Sequence, residues 1–215
     1  MIPHPAFPVD PAVLLPFLVA VSLIELTPGP NMGWLALVAM GRGRIAGMAA
    51  VAGVTLGLTV WMVAAAFGLT TVLLTFPGLY QAVRWAGVAF LLWLAWEAWA
   101  GAGKVAPDAE PDRRTLGGLF LRGLTGNLLN PKAAVFYVAL LPTFIRPDRA
   151  SPLVQALTLG GLHVAVSVAI HTLIVLGAAS AGAVVMRRMQ GVVAGRAMAA
   201  GIAAVAVWMA WTTRA

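Results

Sequence analysis

The chain has 215 residues, 61% of them hydrophobic and only 10% charged, with no cysteine and a net charge of +7. Soluble domains carry roughly 25% charged residues, and no polar face recurs here at helical period, so a soluble helical bundle is excluded. The absence of cysteine excludes disulfides, thiol redox chemistry and thiolate metal sites. An all-α polytopic membrane protein is predicted.

Six apolar stretches are expected to span: Ala12–Met40, Ile45–Thr75, Val83–Gly101, Leu116–Ile145, Leu153–Val185 and Val192–Trp211. Each meets or approaches the roughly 20 residues that cross a bilayer core of about 30 Å. Ahead of the first, "MIPHPAFPVDP" holds no Lys or Arg and no small-residue cleavage site follows it. The first span is therefore predicted to stay in the mature protein.

The first span is interrupted by "ELTPGPNMG", Glu25 to Gly33. Either Thr27–Pro28 or Gly29–Pro30 can supply a helix cap and a proline at the first helical position, so the helix is expected to break and restart there. Span two carries Thr55 and Thr59 on one face, with Gly53xxxGly57 suited to close helix packing. In span three, Glu97 sits in "WLAWEAWAG", placed to reach the interface or a basic loop residue. The only extended polar segment, "GKVAPDAEPDRR", falls in the loop at residues 103–115.

Span four breaks at "LLNPKAAVF", where Asn130 is a good cap, Pro131 suits the first helical position and Lys132 follows. In span five, His163, Ser167 and His171 recur every four residues and share one helix face. Such a stripe either lines a pathway, with a histidine carrying a proton, or hydrogen-bonds neighbouring helices. The same two readings hold for Thr55 and Thr59.

Basic residues gather between spans one and two (Arg42, Arg44), three and four (Lys104, Arg113, Arg114) and five and six (Arg187, Arg188, Arg196). By the positive-inside rule these connections are cytoplasmic and both termini lie outside. The excess charge is thus a topology signal, and no nucleic-acid partner is expected. The halves flanking the loop match in order. Both have a broken first helix, Gly53, Thr55 and Thr59 answer to Gly161, His163 and Ser167, and "WLAW" answers to "WMAW". Two inverted three-helix repeats are predicted, residues 1–102 and 116–215, with the first and fourth helices broken.

Inverted repeats with interrupted helices point to a secondary transporter and its midplane site. Free amides and the dipole at a half-helix start bind anions, and Lys132 strengthens that field. Glu25 supplies the opposite charge about one turn from the break. The expected ligand is a zwitterion, with its carboxylate on Pro28, Gly29, Pro30, Asn31, Asn130, Pro131 and Lys132 and its ammonium on Glu25. The candidates for the pathway or for proton coupling are Glu25, Thr55, His163, Ser167 and His171.

The "PGPN" of span one, the following "GRGRIAGMAAVAGVTLG" and the "LLNPKAAVFYVALLPTFI" of span four resemble the LysE/RhtB-type amino-acid exporter family. The resemblance runs from about Leu18 to Trp211. It implies a carrier of the bacterial inner membrane that expels amino acids on the proton gradient. Thr143 departs from the glutamine often found there in the family. An acidic residue just before "TPGP" is not a general family feature, so the role of Glu25 rests on its chemistry.

The expected function is proton-coupled export of amino acids or related small zwitterions by alternating access, with no cofactor and a homodimer as one possible assembly. The alternative is a divalent metal-ion exporter, since carboxylate and imidazole can bind such a cation. A single carboxylate beside a lysine argues against it. An intramembrane hydrolase would have to use Ser167 with His163 or His171, and adjacent turns of one helix are a poor geometry for attack.

Overall fold

A computed structural model of the chain describes residues 7–27, 29–68, 77–100, 113–186 and 191–212. The described residues form seven α-helices: α1 (Pro11–Leu26), α2 (Pro30–Ala66), α3 (Pro77–Ala100), α4 (Arg113–Leu128), α5 (Pro131–Val135), α6 (Pro152–Met186) and α7 (Gly191–Thr212). Beyond α5 the backbone continues as a π-helical turn, Phe136–Leu140, and a 3₁₀ turn, Leu141–Phe144. Two helical stretches, Pro30–Ala66 and Pro152–Gly182, are long and apolar enough to cross a membrane, and Pro11–Leu26, Trp85–Ala100 and Pro131–Phe144 are shorter apolar helices. Pro28, residues 69–76, and the 103–115 loop up to residue 112 lie outside the described residues.

Both expected breaks are present. At the first, the amide of Thr27 closes α1 onto Leu23 O and Ile24 O, and α2 restarts with Gly29 as cap and Pro30 at the first helical position. Proline fits there because its missing N–H would be unpaired in any case. The second break restarts at Pro131, capped by the side chain of Asn130.

Boundaries differ from expectation: α2 ends at Ala66, short of Thr75, α3 starts at Pro77, ahead of Val83, and the first connection is replaced by a hinge. Where the sequence suggests a connecting loop between Met40 and Ile45, helix runs on through a single hinge residue, Gly43, at φ 80° and ψ −178°. Only glycine occupies that region freely, so one residue turns the chain and no loop is needed.

The packing surrounds α2. It contacts α4 and α6 along its length, and α3 packs on α7. A Cβ on Gly53 would lie 1.9 Å from the carbonyl oxygen of Phe120, and one on Gly123 would lie 2.3 Å from that of Ala50. Glycine at both points lets the backbones of α2 and α4 touch, as small residues do in membrane helix pairs. Gly53xxxGly57 is thus used inside the chain, since Gly57 packs on the side chain of Asn127. Gly161, matched to Gly53 by the repeat, faces open space instead.

Polar contacts hold the two ends of the bundle. Arg149 pairs with Asp10 at 3.5 Å, and buried Gln155 ties down the turn before α6 through Arg146 and Ala150. Elsewhere, Arg44 donates to Ser180 Oγ at 3.1 Å, Arg122 pairs with Glu97, and Arg196 lies over the ring of Trp99. The outward faces stay apolar: Leu15 is 71% exposed, Leu173 68% and Trp96 70%. Exposed apolar side chains on so many helices suit a lipid solvent.

Candidate functional site

The breaks in α1/α2 and α4/α5 meet. Lys132 Nζ donates to the carbonyl oxygen of Thr27 at 2.8 Å, spanning from the second break to the first. Lys132 also lies against Gly29, where a Cβ would sit 3.4 Å from its Cδ. On the other side, Asn130 Oδ1 accepts from the amide of Lys132 at 3.0 Å, which fixes the start of α5. The lysine charge is therefore held at the junction of two half-helix starts, where the dipoles already favour an anion.

Glu25, in the last turn of α1, is buried and turned toward α6. His163 Nε2 lies 2.9 Å from its Oε1, Ser167 Oγ donates to its Oε2 at 3.1 Å, and His171 Nε2 lies 3.5 Å from Oε2. Ser167 Oγ also lies 3.1 Å from His171 Nδ1. With the serine hydroxyl committed to Glu25, His171 Nδ1 is the donor in that contact. In the neutral ring Nε2 then carries no proton, and a proton taken up there would face the carboxylate.

His163 is fixed from its other side by Tyr137, whose hydroxyl lies 3.1 Å from Nδ1, and by Phe136, whose ring centroid is 3.8 Å away. When Nε2–H donates to Glu25, Nδ1 accepts from the tyrosine hydroxyl. One carboxylate, two imidazoles, a serine and a tyrosine thus make a connected buried chain able to store and pass a proton.

A cavity with about 20 Å³ open to the centre of a water molecule touches Glu25, Gly29, Asn31, Asn127, Lys132 and His163. That is room for a water-sized group and not for an amino acid. Asn127 Oδ1 is buried and has no hydrogen-bond partner among the described residues. The Asn127 carbonyl, in the last turn of α4, accepts from Trp61 Nε1 at 3.3 Å.

The candidates from sequence divide accordingly. Glu25, Gly29, Asn31, Asn130, Lys132, His163 and His171 line the cavity, while Pro30 and Pro131 begin the half-helices beside it. Ser167 reaches it through Glu25 and His171. Thr55 does not join them: its hydroxyl donates to Val51 O at 2.9 Å, as that of Thr59 donates to Thr55 O. Pro28 lies outside the described residues. Sequence reasoning does not single out Asn127 or Tyr137. The signal for Asn127 is its place one turn before Asn130, and that for Tyr137 a phenol in an otherwise apolar segment.

The LysE type translocator family model matches residues 22–212. Over 156 residues the chain is 31% identical to a homoserine/homoserine lactone efflux protein of Salmonella typhimurium, covering 73% of this chain and 75% of that one. It is 35% identical over 143 residues to a leucine efflux protein of Klebsiella pneumoniae, covering 64% and 66%. A leucine efflux protein of Salmonella choleraesuis is 34% identical over 133 residues, covering 60% and 61%. No solved structure matches the chain. The chain belongs to the LysE type translocator family and is a membrane transporter, not an enzyme.

Proposed function

We propose that the chain exports amino acids or related small zwitterions across the bacterial inner membrane by proton antiport and alternating access. In this reading six spans form two inverted three-helix repeats, residues 1–102 and 116–215, with both termini periplasmic. The observation that carries it is the meeting of the two helix breaks beside a buried carboxylate that is held by imidazoles. Relatives named for efflux of homoserine, homoserine lactone and leucine support the substrate class.

The substrate carboxylate takes the half-helix starts at Gly29–Asn31 and Asn130–Lys132, where the helix dipoles and the lysine charge converge. Its ammonium takes Glu25, with Asn127 Oδ1 as a second acceptor. Leaving that buried acceptor unpaired is unfavourable by about 1–3 kcal/mol, which an ammonium donor offsets. Ammonium and protonated imidazole compete for one carboxylate, and that competition is the coupling. Substrate binds from the cytoplasm while Glu25 is charged. A proton arriving from outside displaces the ammonium, and the protonated site returns. A cavity of this size requires helices to part before an amino acid enters. Alternating access has them part on one side at a time, for which the hinge at Gly43 and the unwound breaks are suited.

A divalent-cation exporter finds no support here, because no group of three His, Cys, Asp or Glu side chains among the described residues could hold a metal ion. The test is efflux from cells loaded with a panel including homoserine and leucine, with and without a proton uncoupler. Uncoupler-sensitive release of an amino acid is expected. Release of none, alongside resistance to a divalent metal, would overturn the reading.

A further inference from the structure

A second cavity, separate from the first and sharing no residue with it, offers about 270 Å³ to the centre of a water molecule. Arg42, Glu97, Arg114, Thr115 and Arg122 line it, from α2, α3 and α4. Three guanidinium groups face one carboxylate, an excess of two positive charges in a shared cleft. Arg114 and Thr115 also stand in the first turn of the 16-residue α4, where the helix dipole adds to the positive field. The built-in anion, Glu97, is bound to Arg122 through one oxygen. Its other oxygen, Oε2, is shielded from solvent with no hydrogen-bond partner among the described residues. The cleft therefore presents donors for an anion and, beside them, one acceptor in need of a donor.

Its surroundings mark the depth at which it lies. The guanidinium of Arg122 sits 5.7 Å from the ring centre of Trp93, and Arg196 lies 5.1 Å from that of Trp99. Trp93, Trp96 and Trp99 are each at least half exposed, and neighbouring Leu121 is 58% exposed. Outward-facing tryptophans with arginines against them are the pattern of a membrane–water interface, where phospholipid headgroups lie. Basic pockets between membrane helices at that level are suited to anionic headgroups.

We propose that this cleft binds the headgroup of an anionic phospholipid, its phosphodiester on Arg42, Arg114 and Arg122 and a headgroup hydroxyl donating to Glu97 Oε2. Phosphatidylglycerol has both features. Phosphatidylmethanol keeps the charge and lacks the hydroxyl, while phosphatidylcholine has neither a net charge nor a donor. Inorganic phosphate has the charge without the acyl chains that anchor a lipid beside Trp93 and Leu121.

The test is lipid binding to the purified full-length protein in neutral detergent, read by native mass spectrometry and by the shift in thermal unfolding midpoint. Phosphatidylglycerol is expected to bind most tightly, phosphatidylmethanol less so and phosphatidylcholine least. Arg42→Gln and Arg114→Gln are each expected to weaken phosphatidylglycerol binding about fivefold. The exposed Arg113 and Arg146 lie outside the cleft, and their Gln variants are expected to bind like the wild type. Equal loss in those controls would mean diffuse charge attraction and overturn the proposal. Phosphatidylmethanol binding as tightly as phosphatidylglycerol would overturn the role of Glu97, and equal stabilisation by inorganic phosphate would overturn the lipid assignment.

Discussion

Lys132 owes its position to three local features: a cap at Asn130, a proline that starts the helix, and the Thr27 carbonyl that receives its ammonium. In the proposed site its charge holds the substrate carboxylate, so Lys132→Ala is expected to abolish efflux while the protein still inserts and elutes as a folded species. Lys132→Arg, which keeps the charge with a bulkier head, is expected to retain part of the activity. Normal efflux by the alanine variant would mean that the substrate carboxylate binds elsewhere. Asn127 gives the opposite pairing of effects. Asn127→Leu removes an acceptor that has no partner among the described residues, so stability should change little. Loss of a hydrogen bond to a charged ammonium is expected to raise the KM for efflux about tenfold or more. Unchanged KM in that variant, with efflux intact, would remove Asn127 from the site. Glu25 and Lys132 are legible in the sequence because a charge inside an apolar span is costly and stands out. Asn127 and Tyr137 are not, because a neutral polar side chain in a membrane helix has many uses and only its contacts tell them apart. The stripe of His163, Ser167 and His171 is visible as a face, but nothing in its spacing says that it closes on Glu25.

Helix breaks are written in local chemistry, which is why one at Asn130–Pro131 and one within Thr27–Pro30 can be read from caps and prolines alone, with the choice of Gly29–Pro30 over Thr27–Pro28 left to the structure. The hinge at Gly43 cannot. In "MGRGRIAG" three glycines compete for the part, and the arginines suggest a loop. The backbone instead places Gly43 alone in a conformation that side chains avoid, and a methyl group added there would meet no atom within 4 Å. Strain, not crowding, would therefore decide the effect of a substitution. Gly43→Ala is expected to destabilise the protein by about 1–3 kcal/mol, seen as a lower thermal midpoint. Gly41→Ala, at a position with helical geometry, should be close to neutral or stabilising. Equal midpoints for Gly43→Ala and the wild type would mean that the hinge is not required. The close contact of α2 with α4 is foreshadowed by Gly53xxxGly57, yet the partner helix is not, since small residues show that backbones approach without showing which.

Across the whole molecule, the contacts between helix ends fall into two sets. Asp10 meets Arg149 at one end, while Arg44 meets Ser180, Glu97 meets Arg122 and Trp99 meets Arg196 in the other set. The charge distribution supports assigning the second set to the cytoplasm. With cysteines introduced singly into the cysteine-free chain, an impermeant thiol reagent on intact cells is expected to label Ala150→Cys and leave Ala106→Cys unlabelled. Labelling of Ala106→Cys alone would reverse the orientation. Proton coupling is the claim on which the proposed transport reading stands, and in that reading Glu25 is where the substrate ammonium and the imidazoles compete. The most direct measurement compares wild type and Glu25→Gln in proteoliposomes, following transport of an exported amino acid with a proton gradient and, separately, exchange without one. Wild type is expected to show both activities, and Glu25→Gln to lose gradient-driven transport while keeping slow exchange. Full gradient-driven transport by Glu25→Gln would contradict the mechanism and show that the proton is carried elsewhere.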